Sequence, residues 1–232
     1  MKHVWAHLIF TLTVILLLSS GCATRSGHFA EKGRFLLYSR NVGYKEQTLQ
    51  NQPCVNYNFT SNEIIRDFQI VNGDWEIKNG KLWAVSGVGN RSILLAQGQS
   101  GPLRIEFEVI NYANLDGSVG DITVLINSEN SNEFFRKGYA LTTGSYYNNC
   151  TTFYRLGKPI AKTEYSPLVA GEVYKVVVEL MDGHIRFWVN NEITLEAWDY
   201  AQLEIDPKLW IGIRTWNTRM SVNSFAMYCG CD

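Results

Sequence analysis

Histidine is scarce in this sequence, and its scarcity removes much metal chemistry. There are four histidines. His3 and His7 precede an apolar leader, which leaves His28 and His184. Neither stands at ligand spacing from a cysteine, so no zinc site is expected. A surplus of basic charge is also missing. Lys and Arg number 21 against 22 Asp and Glu, a net charge of -1. Nucleic acid recruits a basic face, so it is not an expected partner. A transmembrane helix needs about 20 apolar residues, and the run Leu8–Leu18 falls short. No stretch beyond about ten residues carries a helical period, which points away from helical architectures. Internal repeats and low-complexity segments are absent. One segment lacks charge altogether: GYALTTGSYYNNC, from Gly138 to Cys150.

What is present begins with an export signal. MKHVWAH carries the positive end, LIFTLTVILLL the apolar core, and SSGC small residues before a cysteine. Residues 1–21 therefore read as a signal peptide. Ser20, Gly21 and Cys22 resemble the end of a bacterial lipoprotein signal, in which Cys22 becomes the lipidated N-terminus. That resemblance implies a membrane-anchored lipoprotein of a bacterial cell envelope, with the membrane as partner through its lipid. Ordinary cleavage, leaving a periplasmic or secreted protein, is the alternative. Export also places the remaining cysteines in an oxidising compartment. Cys54, Cys150, Cys229 and Cys231 are disulfide candidates with three possible pairings. Cys229 and Cys231 are too close to bridge each other comfortably. Cys54 is expected to pair with one of them, because first and last strands of sandwiches often lie side by side.

Residues 22–53 read as a lipid-attached tether with one strand near Arg34–Tyr38, and residues 54–232 as the folded domain. Within that domain the pattern is β throughout. WEIKNGKLWA places Asn79-Gly80 between two alternating runs, a strong hairpin signal that pairs Ile77 with Leu82 and Trp75 with Ala84. YKVVVELMDGHIRFWVN repeats the device at Asp182-Gly183. There Leu180/Ile185, Val178/Phe187 and Val176/Val189 share a core face, with Glu179/Arg186 and Val177/Trp188 on the other. PLRIEFEVI turns Leu103, Ile105, Phe107 and Val109 inward and Arg104, Glu106 and Glu108 outward. LWIGIRTW buries Ile211 and Ile213 and presents Trp210, Arg214 and Trp216. Many short strands with Gly, Asn and Asp turns predict an all-β, two-sheet antiparallel sandwich.

The order of these pieces resembles the concanavalin A-like lectin/glucanase jelly roll. The matching run is DWEIKNGKLWAVSG, GPLRIEFEV, GDITVLIN, GYALTTG, GEVYKVVVELMDGHIRFWVNN and SVNSFAMY, from Phe68 to Tyr228. It looks most similar to laminarinase-like glycoside hydrolases and to the 3-keto-disaccharide hydrolase domain family. The resemblance implies a ligand groove on one sheet. In laminarinase-like enzymes the strand after the DITVLIN equivalent carries Glu-x-Asp-x-x-Glu, whose outer carboxylates perform retaining hydrolysis. Here that strand is GYALTTG, without a carboxylate, so a retaining laminarinase-type glucanase is not expected.

Candidate site residues follow from side-chain chemistry. Arg104 and Glu106 are neighbouring outward ionisable groups, able to bind sugar hydroxyls or to act as acid and base. Tyr139, Tyr146 and Tyr147 offer flat rings with a polar handle, suited to a pyranose. Arg155 is a candidate for a carboxylated or sulfated sugar. The resemblance implies a groove-edge place for Trp216, which makes it a stacking candidate. The segment Asn114–Asp121 loosely resembles a calcium loop, but two carboxylates with glycines between them read first as a turn. No cofactor or metal is expected, with calcium there as the alternative. The leading reading is binding or handling of an oligo- or polysaccharide at the cell envelope. A glycoside hydrolase or lyase using Glu106 and Arg104, and a non-catalytic envelope interaction module, are the alternatives.

Overall fold

Period-two alternation becomes strand wherever the sequence carries it. The computed structural model describes residues 49–85, 89–114, 116–129, 137–164 and 167–230. The expected signal (1–21), Cys22, the strand near Arg34–Tyr38 and Cys231 lie outside the described residues. One sheet holds β1 (Val55–Tyr57), β3 (Trp75–Lys78), β4 (Lys81–Ala84), β6 (Leu103–Tyr112), β11 (Val173–Met181), β12 (His184–Val189), β13 (Glu192–Trp198) and β15 (Arg219–Cys229). The other holds β2 (Gln69–Asn72), β5 (Asn90–Gln97), β7 (Ile122–Ser128), β8 (Tyr139–Gly144), β9 (Cys150–Arg155), β10 (Lys158–Glu164) and β14 (Trp210–Trp216). Their spatial orders are β13-β12-β11-β6-β15-β4-β3, with β1 added on β15, and β10-β9-β8-β7-β14-β5-β2. All these pairings are antiparallel. The chain is thus the expected all-β, two-sheet sandwich.

Turn chemistry sets the registers. Asn79 and Gly80 adopt φ of 54° and 68°, and Asp182 and Gly183 50° and 78°. Positive φ at both central residues is what a type I′ turn requires, and its twist matches the flanking strands. The pairs Trp75↔Ala84, Ile77↔Leu82, Val178↔Phe187 and Leu180↔Ile185 form as the sequence predicts. Asn190 and Asn191 make a further turn of this kind, at φ 52° and 67°, joining β12 to β13.

Inward residues of both sheets make one core. Ile105, Phe107, Val178, Phe187 and Phe225 from one sheet belong to the same cluster as Ile93, Val124, Leu141, Phe153 and Ile213 from the other. Each fully buried side chain of this size contributes about 1.5–3 kcal/mol. The reverse face of the seven-stranded sheet is not purely polar. Leu94, Leu125 and Ala140 alternate with core residues along their strands and form a second, small apolar cluster there.

The chain termini of the domain are tied together. Cys54 bridges Cys229 with Cα atoms 6.0 Å apart, across 175 residues. Leu49 already bridges Gly230, and Gln50 N–H donates to the Cys229 carbonyl at 2.9 Å. Pairing with the last strand therefore starts ahead of residue 54. Cys150 corrects the sequence reading: it opens β9 in the other sheet, buried, and takes no part in this bridge. Cys150 shares the parity of Thr152, opposite to that of core residue Phe153, so its thiol lies on the face of β9 turned away from the sheet that holds Cys229.

Candidate functional site

The antiparallel order places the start of β7 between the ends of two neighbours. Ile122 pairs with Thr143 of β8, and Thr123 with Arg214 of β14. Asp121, immediately before β7, therefore lies between the turn that follows β8 and the last residues of β14. Gly120 permits this approach, because a Cβ there would stand 2.0 Å from the Trp216 carbonyl oxygen.

Asp121 and Arg214 form the charged centre. Arg214 Nη1 donates to Asp121 Oδ2 at 3.0 Å, and both side chains are only 13% exposed. Arg214 Nε donates to Asn90 Oδ1 at 2.6 Å. The Trp216 backbone N–H donates to Asp121 Oδ1 at 2.8 Å. Burial pushes the Asp121 carboxyl up, while the Arg214 charge and the Trp216 N–H hold it back. A row of polar residues runs across the sheet in register, Ser92, Arg214, Thr123, Thr142 and Thr152, all of them small except Arg214. Thr123 and Thr142 share a hydroxyl hydrogen bond at 2.8 Å, and Thr152 bonds Ser145 Oγ at 2.7 Å.

The turn after β8 has an unusual backbone. Tyr146, Tyr147 and Asn148 all take positive φ, at 51°, 62° and 65°. The left-handed region costs an ordinary L-residue roughly 1–2 kcal/mol. Surrounding contacts hold the turn. The Asn148 side chain donates to the Leu168 carbonyl and accepts from the Leu168 N–H, both at 2.8 Å. Ser145 Oγ donates to the Cys150 carbonyl at 3.0 Å. Gly144, at φ 77°, starts the turn against Leu168, whose Cδ1 would be 2.7 Å from any Cβ.

Together these elements enclose a cavity of about 500 Å³, lined by Asp121, Arg214, Tyr146, Tyr147, Tyr154 and Trp216 with smaller polar residues. Trp216 is 51% exposed, Tyr146 48% and Tyr147 100%. Lys162 Nζ sits 4.2 Å from the Tyr146 ring centroid, and the Arg214 guanidinium 5.6 Å from that of Trp216. Burial, then a hydrogen bond with Tyr146, raises the Tyr154 hydroxyl above the usual phenol range.

Of the residues picked from sequence, Tyr146, Tyr147 and Trp216 meet here. The others do not. Arg104 and Glu106 lie on β6, in the opposite sheet. Arg104 donates to Glu106 at 2.5 Å and to Glu179 at 2.7 Å, and Arg186 donates to Glu179 at 2.6 Å. These groups form an alternating charge ladder across β6, β11 and β12, including the expected Glu179–Arg186 pair. Tyr139 has the inward parity of β8 and is buried in the core. Its hydroxyl donates to Asp199 Oδ2 at 2.8 Å and accepts from the Leu203 N–H at 2.6 Å. Arg155 pairs with Tyr139 in register and reaches the same carboxylate, 2.8 Å away, and the Ala201 carbonyl at 2.6 Å. Both residues clamp the loop after β13. Asp121 and Arg214 were missed as site residues. The available signal was an outward Arg on an otherwise apolar strand.

No family model matches the sequence, and no curated protein matches it either. Solved structures share the fold. The carbohydrate-binding module CBM66 from Bacillus subtilis is 15% identical at a TM-score of 0.55, covering 67% of this chain and 91% of its own. A Bacillus subtilis protein of unknown function with a galectin-like fold is 10% identical at a TM-score of 0.63, covering 79% and 99%. The exoplasmic/lumenal domain of VIP36, with Ca2+ and Man3GlcNAc bound, is 8% identical at a TM-score of 0.58, covering 78% and 89%. At such identities the likeness carries the fold alone, a two-sheet antiparallel jelly roll.

In the segment Asn114–Asp121, where calcium was the alternative, the two described carboxylates have protein partners. Ca2+ takes about six to eight oxygens. Asp116 Oδ1 already accepts from the Ser118 N–H and hydroxyl, at 2.9 and 2.6 Å. Both Asp121 oxygens are engaged by Arg214 and Trp216. Among the described residues no group of three His, Cys, Asp or Glu comes together.

Proposed function

We propose that this chain is an exported, lipid-anchored carbohydrate-binding protein of a bacterial cell envelope, and that the cavity at the start of β7 holds an oligo- or polysaccharide. One observation carries the reading: half-exposed Trp216 and Tyr146 share a cavity of about 500 Å³ with the Asp121–Arg214 pair. A pyranose has an apolar C–H face and a rim of hydroxyls. Aromatic rings take the first, and a fixed carboxylate takes the second. Asp121 Oδ2 and Oδ1 accept from Arg214 and the Trp216 N–H, and a carboxylate, with about four lone-pair sites, can accept a sugar hydroxyl as well. Because Arg214 is matched by Asp121, the site favours a neutral sugar over a carboxylated or sulfated one. Asp121 is the one carboxylate among the described lining residues. Glycoside hydrolysis normally uses two, which supports holding over cutting. Among proteins of this fold, CBM66 is a carbohydrate-binding module and VIP36 was solved with Man3GlcNAc, which supports the same reading.

The test is a glycan array followed by calorimetry on the purified mature chain. Binding of a neutral oligosaccharide is expected, weakened at least tenfold by Trp216→Ala, since a central aromatic contact carries about 2 kcal/mol. Glu106→Gln, on the other sheet, is expected to change affinity by less than about twofold. An array blank for neutral glycans, or equal losses from the two variants, defeats the proposal.

Leader and disulfide support the location, since structural disulfides persist outside the cytosol. Cells fed labelled palmitate are expected to label the wild-type chain and not Cys22→Ala. Equal labelling of both would remove the lipid anchor.

A further inference from the structure

We propose that Tyr147 forms a second sugar subsite, so that the cavity selects chains of two or more units over a single sugar. This inference rests on the carbohydrate reading above. Tyr146 and Tyr147 follow β8, Trp216 ends β14, and β7 lies between those strands. Aromatic groups thus rise on both sides of Asp121. A ligand cavity of this volume accommodates more than one ring. Tyr146 is engaged by Lys162 and Tyr154, and only half its surface is exposed. Tyr147 is fully exposed and gains no packing from the fold. It nevertheless occupies the middle of three successive left-handed residues. Glycine or asparagine would hold that backbone with less strain. A bulky ring kept in a strained position without a packing return is accounted for by contact with a ligand.

The inference sets stability against binding. Tyr147→Gly relieves the strained φ, and its Tm is expected to rise by about 2–4 °C despite the greater freedom of the unfolded chain. Mono- to tetrasaccharides of the laminari-, cello-, malto- and manno- series are titrated against each variant. Wild type is expected to bind disaccharides and longer chains about tenfold tighter than the monosaccharide. Tyr147→Gly should lose that preference while keeping monosaccharide affinity at Trp216. Tyr147→Phe, which keeps the ring, should retain it. If wild type binds a series and Tyr147→Gly keeps the chain-length preference, the second subsite is refuted while the binding reading stands. If wild type binds none of these sugars, both fail. An unchanged or lower Tm for Tyr147→Gly refutes the strain argument.

Discussion

Arg214→Met is expected to destabilise the domain by about 3–5 kcal/mol, read as a shift of the guanidinium unfolding midpoint followed by tryptophan fluorescence. The reason is what remains. Asp121 would keep its buried place beside β7 with its cation gone, and Asn90 Oδ1 would lose its donor. An uncompensated buried charge is far worse than no pair at all. The double variant Arg214→Met, Asp121→Asn is therefore expected to recover more than half of the loss. Sugar affinity should not recover with it, because the fixed carboxylate is gone. A loss below about 1 kcal/mol in the single variant would mean that the pair behaves as a solvated surface bridge. The cavity floor would then not be preorganised.

Removing the Cys54–Cys229 bridge is expected to cost about 2–5 kcal/mol, either by reduction or as Cys54→Ser with Cys229→Ser. The closed loop spans nearly the whole domain, 175 residues, so the cross-link restricts almost all of the unfolded chain. β1 contributes only three residues to the sheet, paired on β15 from Val55↔Met227 to Tyr57↔Phe225. So short a strand has little hold of its own, and the bridge anchors it. Loss of the bridge should expose Tyr57, which packs edge-on to Phe68 at 5.0 Å. Matching denaturation curves with and without dithiothreitol would contradict this account.

Local pattern made the hairpins legible. Asn79-Gly80 and Asp182-Gly183 specify both turn type and length, and a two-residue turn leaves one register. Alternation in LRIEFEV and WIGIRTW separated core from outer face correctly. It could not tell which outer face belongs to a ligand. Arg104 and Glu106 are as outward as Arg214, but β6 is paired with β11 and β15 while β14 is paired with β7 and β5. Tyr139 and Arg155 show a second limit. They looked like surface chemistry beside GSYYNN, but strand parity directs them to Asp199, a residue of a loop 60 positions from Tyr139. The uncharged composition of GYALTTGSYYNNC also has a physical source. Thr142, Thr143, Ser145 and Thr151 are buried and paired hydroxyl to hydroxyl, with Thr123, with each other and with Thr152, where neutral groups satisfy one another without the cost of burying a charge.

The sequence alone determined the fold class, the strand faces and the hairpin registers, because these depend on period-two alternation and on turn residues only a few positions apart. It also showed that GYALTTG carries no carboxylate. Only the tertiary structure decided which groups meet. Asp121 and Arg214 are 93 residues apart. Trp216 and the 146–148 turn come together because β8 and β14 both chose β7 as neighbour. Such pairings are selected by burial of the whole core, which no short window of sequence contains.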